Sequence, residues 1–207
     1  GTIYIDGEPV AIHSPEDANK HGIGMIHQHF KLVDVHTATD NIILGSKDTG
    51  FFLKGSRHQK IRELSERYHL YVDPNKKVYN MSVSEKQSVE ILKVLYRGAD
   101  ILILDEPTAV LTPQETKKLF EILRHMRDNG CAIIIITHKL GEVMEISDRV
   151  TILRKGESVA TVNTSETNAR NLTELMVGKS VELSIDRPER KHEGNLLEIH
   201  RLTVTNE

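Results

Sequence analysis

Two short runs of the chain are apolar without interruption, Ile101-Leu102-Ile103-Leu104 and the five residues from Ala132 to Ile136. Runs of that length, with no polar alternation, predict strands buried on both faces, as in a parallel sheet covered by helices. The segment between them spells out a helix. Thr112-Pro113-Gln114-Glu115 supplies a cap, a proline at the first helical position and a reciprocal glutamate. Leu119, Leu123 and Met126 recur on one face, and Asn129-Gly130 ends the helix in the left-handed conformation that glycine tolerates. A strand, a helix and a parallel strand join by a right-handed crossover. The two strands therefore end on one sheet edge, which predicts that Asp105, Glu106 and His138 share it. Ligands of open α/β sheets sit at that edge.

The remaining pattern builds outward from this unit. Residues 2–5, the pair Asp6-Gly7 and residues 9–12 predict a hairpin. Ser14-Pro15 caps a short helix ending near Gly22, a strand covers 23–26, and Gln28 lies in the polar loop that follows. From about 37 to 78 the chain is richer in Lys, Arg and Tyr, with Ile61, Leu64 and Tyr68 at helical spacing, and predicts a mostly helical insert. It returns at Met81-Ser82-Val83-Ser84-Glu85-Lys86-Gln87. Ser82 and Glu85 form a capping box for a helix over 83–97, with Val89, Leu92, Leu95 and Tyr96 inward and Gly98 as its stop. Further on come a helix over 140–147, a hairpin of 149–154 and 158–162, and a last helix capped by Ser165 and reaching Met176. Residues 186–193 have the composition of an exposed linker, and 196–204 open a new strand-like run. The chain begins in mid-hairpin, and both ends read as cut.

Composition narrows the partners. The 207 residues allow one sizeable core and part of a second domain. The net charge is only −3 and no basic stripe is interleaved with aromatics, so nucleic acid is not expected as a partner. No apolar run is long enough to span a bilayer and no signal peptide is visible. The single cysteine, Cys131, excludes a disulfide framework and fits a reducing compartment. The 11 histidines are scattered, and His27 and His29 lack the spacing of a helical metal site. Taken alone, Asp105 and Glu106 could simply open a polar loop, and His138 could be a structural strand-end histidine. Their convergence favours chemistry, since two acids at a strand end can hold a metal ion and handle a water.

The order of the Gln28 loop, the motif from Ser82 to Gln87, ILILDEPT and Thr137-His138 resembles the ATP-binding cassette (ABC) ATPases over residues 1 to about 184. LYRGADILILDEPTAVLTPQET and LMVGKSVEL resemble the first cassette of tandem importers for simple sugars and nucleosides. The resemblance implies an α/β fold: a P-loop NTPase-like sheet core, N-terminally truncated, with a mostly helical subdomain at about 37–98. Residues 185–194 would be a linker, and 195–207 the first strand of a second cassette. It implies ATP and Mg2+, with Asp105 and Gln28 at the metal, Glu106 polarising the attacking water and His138 reaching the γ-phosphate. Ser82, Ser84 and Glu85 would meet ATP held by the opposite cassette, where a helix N-terminus suits phosphate. The implied partners are transmembrane permease subunits, met through the Gln28 loop and the helical subdomain, a second cassette in a head-to-tail dimer, and indirectly a solute-binding protein. The implied location is the cytoplasmic face of the cell membrane, and the implied role is ATP-driven import of a sugar or nucleoside.

Three departures qualify that picture. Ser84 stands where the family usually has glycine, so its side chain is expected to crowd the phosphate or strain the backbone by about 1 kcal/mol or more. Thr112 stands where many relatives carry aspartate. The phosphate loop G-x-x-x-x-G-K-[ST] is expected upstream of the opening hairpin. Gly178-Lys179-Ser180 does not supply it, because Thr173 occupies the first glycine position and a helix precedes it. The chain by itself is accordingly expected to bind ATP weakly and hydrolyse little. Two alternatives stay open: a soluble tandem cassette acting on ribosomes or in DNA repair, and a catalytically silent regulatory cassette.

Overall fold

Asp6 and Gly7 take φ of 51° and 84°, which closes a two-residue turn with the twist of its flanking strands. The strands are β1 (Ile3–Ile5) and β2 (Glu8–Val10), paired antiparallel with Tyr4 opposite Pro9. A computed structural model describes this hairpin and the rest of the chain over residues 1–46, 54–178 and 198–203. After it, α1 (Pro15–Lys20) starts at Ser14, whose side chain accepts from the Asp17 amide.

The central sheet has three parallel strands in the order β3 (Ile23–Ile26), β4 (Ile101–Asp105), β5 (Ala132–Ile136). Ile26 is opposite Leu104, which is opposite Ile135, and Asp105 is opposite Ile136. The insert between β3 and β4 holds α2 (Ala38–Ile43), α3 (Lys54–Tyr68) and α4 (Val83–Tyr96). Ile61 and Tyr68 are buried and Leu64 packs beside them, so the helical spacing in the sequence marks the inward face of α3. Then α5 (Pro113–Asp128) makes the crossover between β4 and β5, burying Leu119, Phe120, Leu123 and Met126.

One face of the sheet, carrying Leu102, Leu104 and Ile26, meets α4 on β3 and α5 on β5. Each fully buried Leu there contributes about 1.5–3 kcal/mol. The approach of α4 is set by Gly24: a Cβ at that position would stand 2.8 Å from Val94 Cβ and 2.9 Å from Ala99 Cβ. The expectation of strands buried on both faces is corrected here. Burial alternates along β4, and no residue of β5 is fully buried, with Ile134 51% and Ile136 48% exposed. Among the described residues α4 and α5 layer onto the face that carries Leu102 and Leu104, and β5 is an edge of the sheet.

Past β5, α6 (Leu140–Ile146) leads to the hairpin β6 (Arg149–Arg154) and β7 (Glu157–Asn163), and then to α7 (Ala169–Val177). The cap of α7 is Asn168, not Ser165. Residues 164–166 form a 3-10 turn, Thr167 and Asn168 are extended, and the Asn168 side chain accepts from the Asn171 amide. Gly178 terminates α7 in the left-handed conformation, φ 79°, which removes the basis of any phosphate loop there; Lys179 and Ser180 lie outside the described residues. The linker at 185–194 also lies outside them. Of the strand expected over 196–204, residues 198–203 carry no strand.

Candidate active site

The crossover brings two strand ends together as their sequence implies. β4 stops at Asp105 because Glu106 turns out of the extended region, with φ of 44°, and Pro107 offers no amide to a ladder. The Glu106 amide still donates to Ile136 O at 2.9 Å, so the acid is held against the end of β5. Two residues beyond that strand, His138 places Nδ1 2.9 Å from Glu106 Oε1. An ionised carboxylate can only accept, so in this contact Nδ1 carries the proton. His138 is 67% and Glu106 31% exposed in the side chain, which leaves the pair open to a ligand. Asp105 is half-buried, and its carboxylate makes no hydrogen bond or ion pair among the described residues.

Behind the pair lies a polar knot that sequence reading missed. Thr108, almost fully buried, donates to the Glu142 carboxylate at 2.7 Å. Lys139 Nζ donates to Thr108 O at 3.0 Å and pairs with Glu142 at 3.1 Å. The Lys139 amide donates to Thr137 Oγ1 at 3.1 Å. Residues flanking Glu106 and His138 are thereby tied to one another through the first turn of α6. The available signal was the position of Glu142 four residues after His138 at a helix start, but nothing in the sequence names Thr108 as its partner.

The other expected site residues lie on the insert and in the first loop. Gln28 is exposed two residues past β3, and because β3 and β4 are parallel its loop leaves from the edge that carries Asp105. It has no hydrogen bond among the described residues. Ser82 caps α4 by accepting from the Glu85 amide at 3.3 Å, and Glu85 Oε2 accepts from the Ser82 amide at 2.8 Å. Lys76 Nζ holds Glu85 at 2.7 Å; that contact first, and then the Ser82 amide, keep its carboxyl below the usual range. Glu85 is thus committed to the cap and to Lys76 instead of standing free for a ligand. Ser84 lies in the first turn of α4 and is absent from the positive-φ residues, so the expected backbone strain is not there. Buried Gln87 donates to Pro107 O at 3.0 Å, joining α4 to the loop of the acid pair. Thr112 caps α5 in a full capping box with Glu115.

Among the described residues no group of three or more His, Cys, Asp or Glu forms a metal cage. The free carboxylate of Asp105 and the amide of Gln28 suit a different kind of ion. Mg2+ takes one or two protein oxygens and keeps the rest of its octahedral shell for water and phosphate. No helix among the described residues is long and apolar enough to cross a membrane.

Comparison with known proteins gives the family and the fold. The family description "ABC transporter" matches residues 1–109. The nucleoside import ATP-binding protein NupA of Lactococcus lactis is 46% identical over 207 residues, covering 99% of this chain and 41% of the relative. The glucose import ATP-binding protein TsgD13 of Haloferax volcanii is 42% identical over 217 residues, covering 90% of this chain and 40% of the relative. The chain therefore spans about two fifths of the length of these curated relatives. In structure it superposes on the ADP form of the ATP-binding cassette MJ1267 with a TM-score of 0.71 at 18% identity, covering 86% of this chain and 77% of that one. At that identity the likeness establishes the fold, that of an ATP-binding cassette.

Proposed function

The chain belongs to the ABC transporter family, and from that premise we propose that it forms part of the ATP-hydrolysing subunit of an importer for nucleosides or simple sugars. The observation that carries the chemistry is the 2.9 Å contact between His138 and Glu106 at the ends of adjacent parallel strands. Phosphoryl transfer needs a positioned water and charge stabilisation more than covalent help. Glu106 accepts a hydrogen bond from the water and aligns it. His138, donating to Glu106 through Nδ1, offers Nε2 to a phosphate oxygen, which it can do as imidazolium. Asp105 and Gln28 would hold Mg2+, whose bound charge neutralises the phosphate oxygens.

Ser84, in the first turn of α4, presents its amide, and the capping Ser82 its hydroxyl proton, to a phosphate held by a second cassette, and Glu85 acts one step back by fixing the cap. A fourteen-residue helix has at its N-terminus the positive end that such an anion wants. The lack of backbone strain at Ser84 removes one motive for a silent cassette. The Gln28 loop and the insert would face transmembrane permease subunits, which would put the protein at the cytoplasmic face of the membrane, and residues 1–184 would be one cassette and 195–207 the start of another. The names of the relatives, nucleoside and glucose import, support the solute class.

The test uses the intact protein with its permease in vesicles. ATP-dependent uptake of a labelled nucleoside or sugar is expected, and Glu106→Gln should abolish uptake while ATP is still bound. Copurification with ribosomes in place of a permease would overturn the transport reading.

A further inference from the structure

The segment that follows Gln28 is held in an unusual way. The Lys31 amide donates to Glu90 Oε1 at 2.6 Å, and Lys93 Nζ donates to Lys31 O at 2.9 Å. Two residues on, the Val33 amide donates to Asn41 Oδ1 at 2.7 Å, and Asn41 Nδ2 donates to Val33 O at 3.1 Å. Both polar backbone atoms of two alternate residues are thus taken, the pairing a strand receives from a neighbouring strand. Here side chains take the neighbour's place, Glu90 and Lys93 from α4 and Asn41 from α2.

Two of the anchors are buried polar groups and the third, Lys93, is half-buried beside them. Asn41 is 1% and Glu90 5% exposed, and Glu90 pairs with Lys93 at 3.5 Å. A buried ion pair is often no more stabilising than apolar residues of the same volume. Its specific yield here is the location of one stretch of backbone. On its other side Gln28 is joined to β3, whose Ile26 belongs to the sheet core. The same α4 that grips Lys31 also reaches the acid-pair loop, through Gln87 to Pro107 O.

We propose that Glu90, Lys93 and Asn41 are positioning residues that fasten the Gln28 loop to the helical insert, so that α4 sets where Gln28 stands relative to Glu106. The importance of that placement for turnover rests on the reading under Proposed function; the fastening itself does not. A movement of the insert reaches Gln28 through the Lys31 and Val33 peptides and reaches Glu106 through Gln87, by separate contacts on one rigid helix. These residues do not touch the reacting atoms.

Amide hydrogen exchange on the intact protein tests the fastening. In the wild type, Lys31 and Val33 are expected to exchange at least tenfold more slowly than the exposed amides at Gln28 and His29. Glu90→Ala should erase that protection at Lys31 while Ile91 and Leu92, within α4, keep theirs. Glu90→Gln, which retains the acceptor, should restore it to within about threefold, and Asn41→Ala should act on Val33 alone. If Glu90→Ala does not fold, Lys93→Met, which frees only Lys31 O, should still shift the Gln28 amide resonance. Fast exchange of Lys31 in the wild type, or full protection in Glu90→Ala, overturns the proposal. In ATPase assays of the same proteins with permease, kcat should fall at least tenfold in Glu90→Ala with KM within twofold, and Glu90→Gln should recover it. An unchanged kcat once protection is lost overturns the positioning role. Absence of turnover in the wild type counts against the transport reading instead, and the exchange results still decide the fastening.

Discussion

His138 Nδ1 and Glu106 Oε1 stand 2.9 Å apart although 32 residues separate them in sequence. The contact exists because a capped crossover helix returns the chain parallel to β4 and ends β5 beside it. For the intact protein, Glu106→Gln is expected to lower ATP turnover by about 10²- to 10⁴-fold with nucleotide affinity little changed, the range that loss of a positioned acid–base group gives. His138→Ala should fall in the same range, and the double variant should cost little more than either alone, as for groups acting as a unit. Steady-state kinetics beside equilibrium nucleotide binding checks both statements.

Gly24 lies directly under Val94 and Ala99. Gly24→Ala is therefore expected to destabilise by about 1–3 kcal/mol through overpacking, read as a shift of the denaturant midpoint at constant slope. On the other face, Ile134→Thr should change stability by less than about 1 kcal/mol, whereas Leu104→Ala should cost about 2–5. The contrast between the two β positions tests which face of the sheet is covered.

The carboxyl of Glu85 is held low by Lys76 and by the Ser82 amide. A depressed carboxyl contributes stability that is present above its unfolded value and lost as pH falls through the folded one. Wild-type stability should therefore decline as pH drops below about 4. Glu85→Gln should lower stability at pH 7 and flatten that part of the curve. Urea midpoints measured between pH 3 and about 7 decide it.

Burial, and then the charge of Asp100, push the Cys131 thiol up. The thiolate is the reactive form, so Cys131 should react with an aromatic disulfide reagent at least tenfold more slowly than a free thiol at pH 8 and at the free rate in denaturant. Fast labelling of the native protein would contradict the burial of Cys131, the residue before β5.

Much of this was legible beforehand, for reasons that differ by residue. The caps at Ser82 and Thr112 and the stop at Gly130 are local chemistry, and local chemistry sits in adjacent letters. The convergence of Glu106 and His138 followed from one handedness rule. The exposure of Ile134 and Ile136 was not readable, because an unbroken isoleucine run has no period and looks the same whether one layer or two cover it. The knot of Thr108, Lys139 and Glu142 was hidden for another reason: its members come from the loop after β4 and from the start of α6, whose approach depends on the finished sheet. For Ser84 only the strain alternative is answered, since its backbone is helical, with no positive φ, a fact that no single letter announces. The fastening of Lys31 and Val33 was invisible for the same reason as the knot, since side chains from two helices act there on backbone that carries no letter of its own.

The backbone of Glu106 occupies left-handed space, which an L-residue enters at a cost of about 1–2 kcal/mol. Glycine would rest there at ease, and it would bring no carboxylate. Selection for heat resistance alone should pull this position toward glycine, while selection for turnover should keep the acid. A library screened both ways would part at residue 106, and the width of that parting would measure how much firmness the molecule forgoes in order to work.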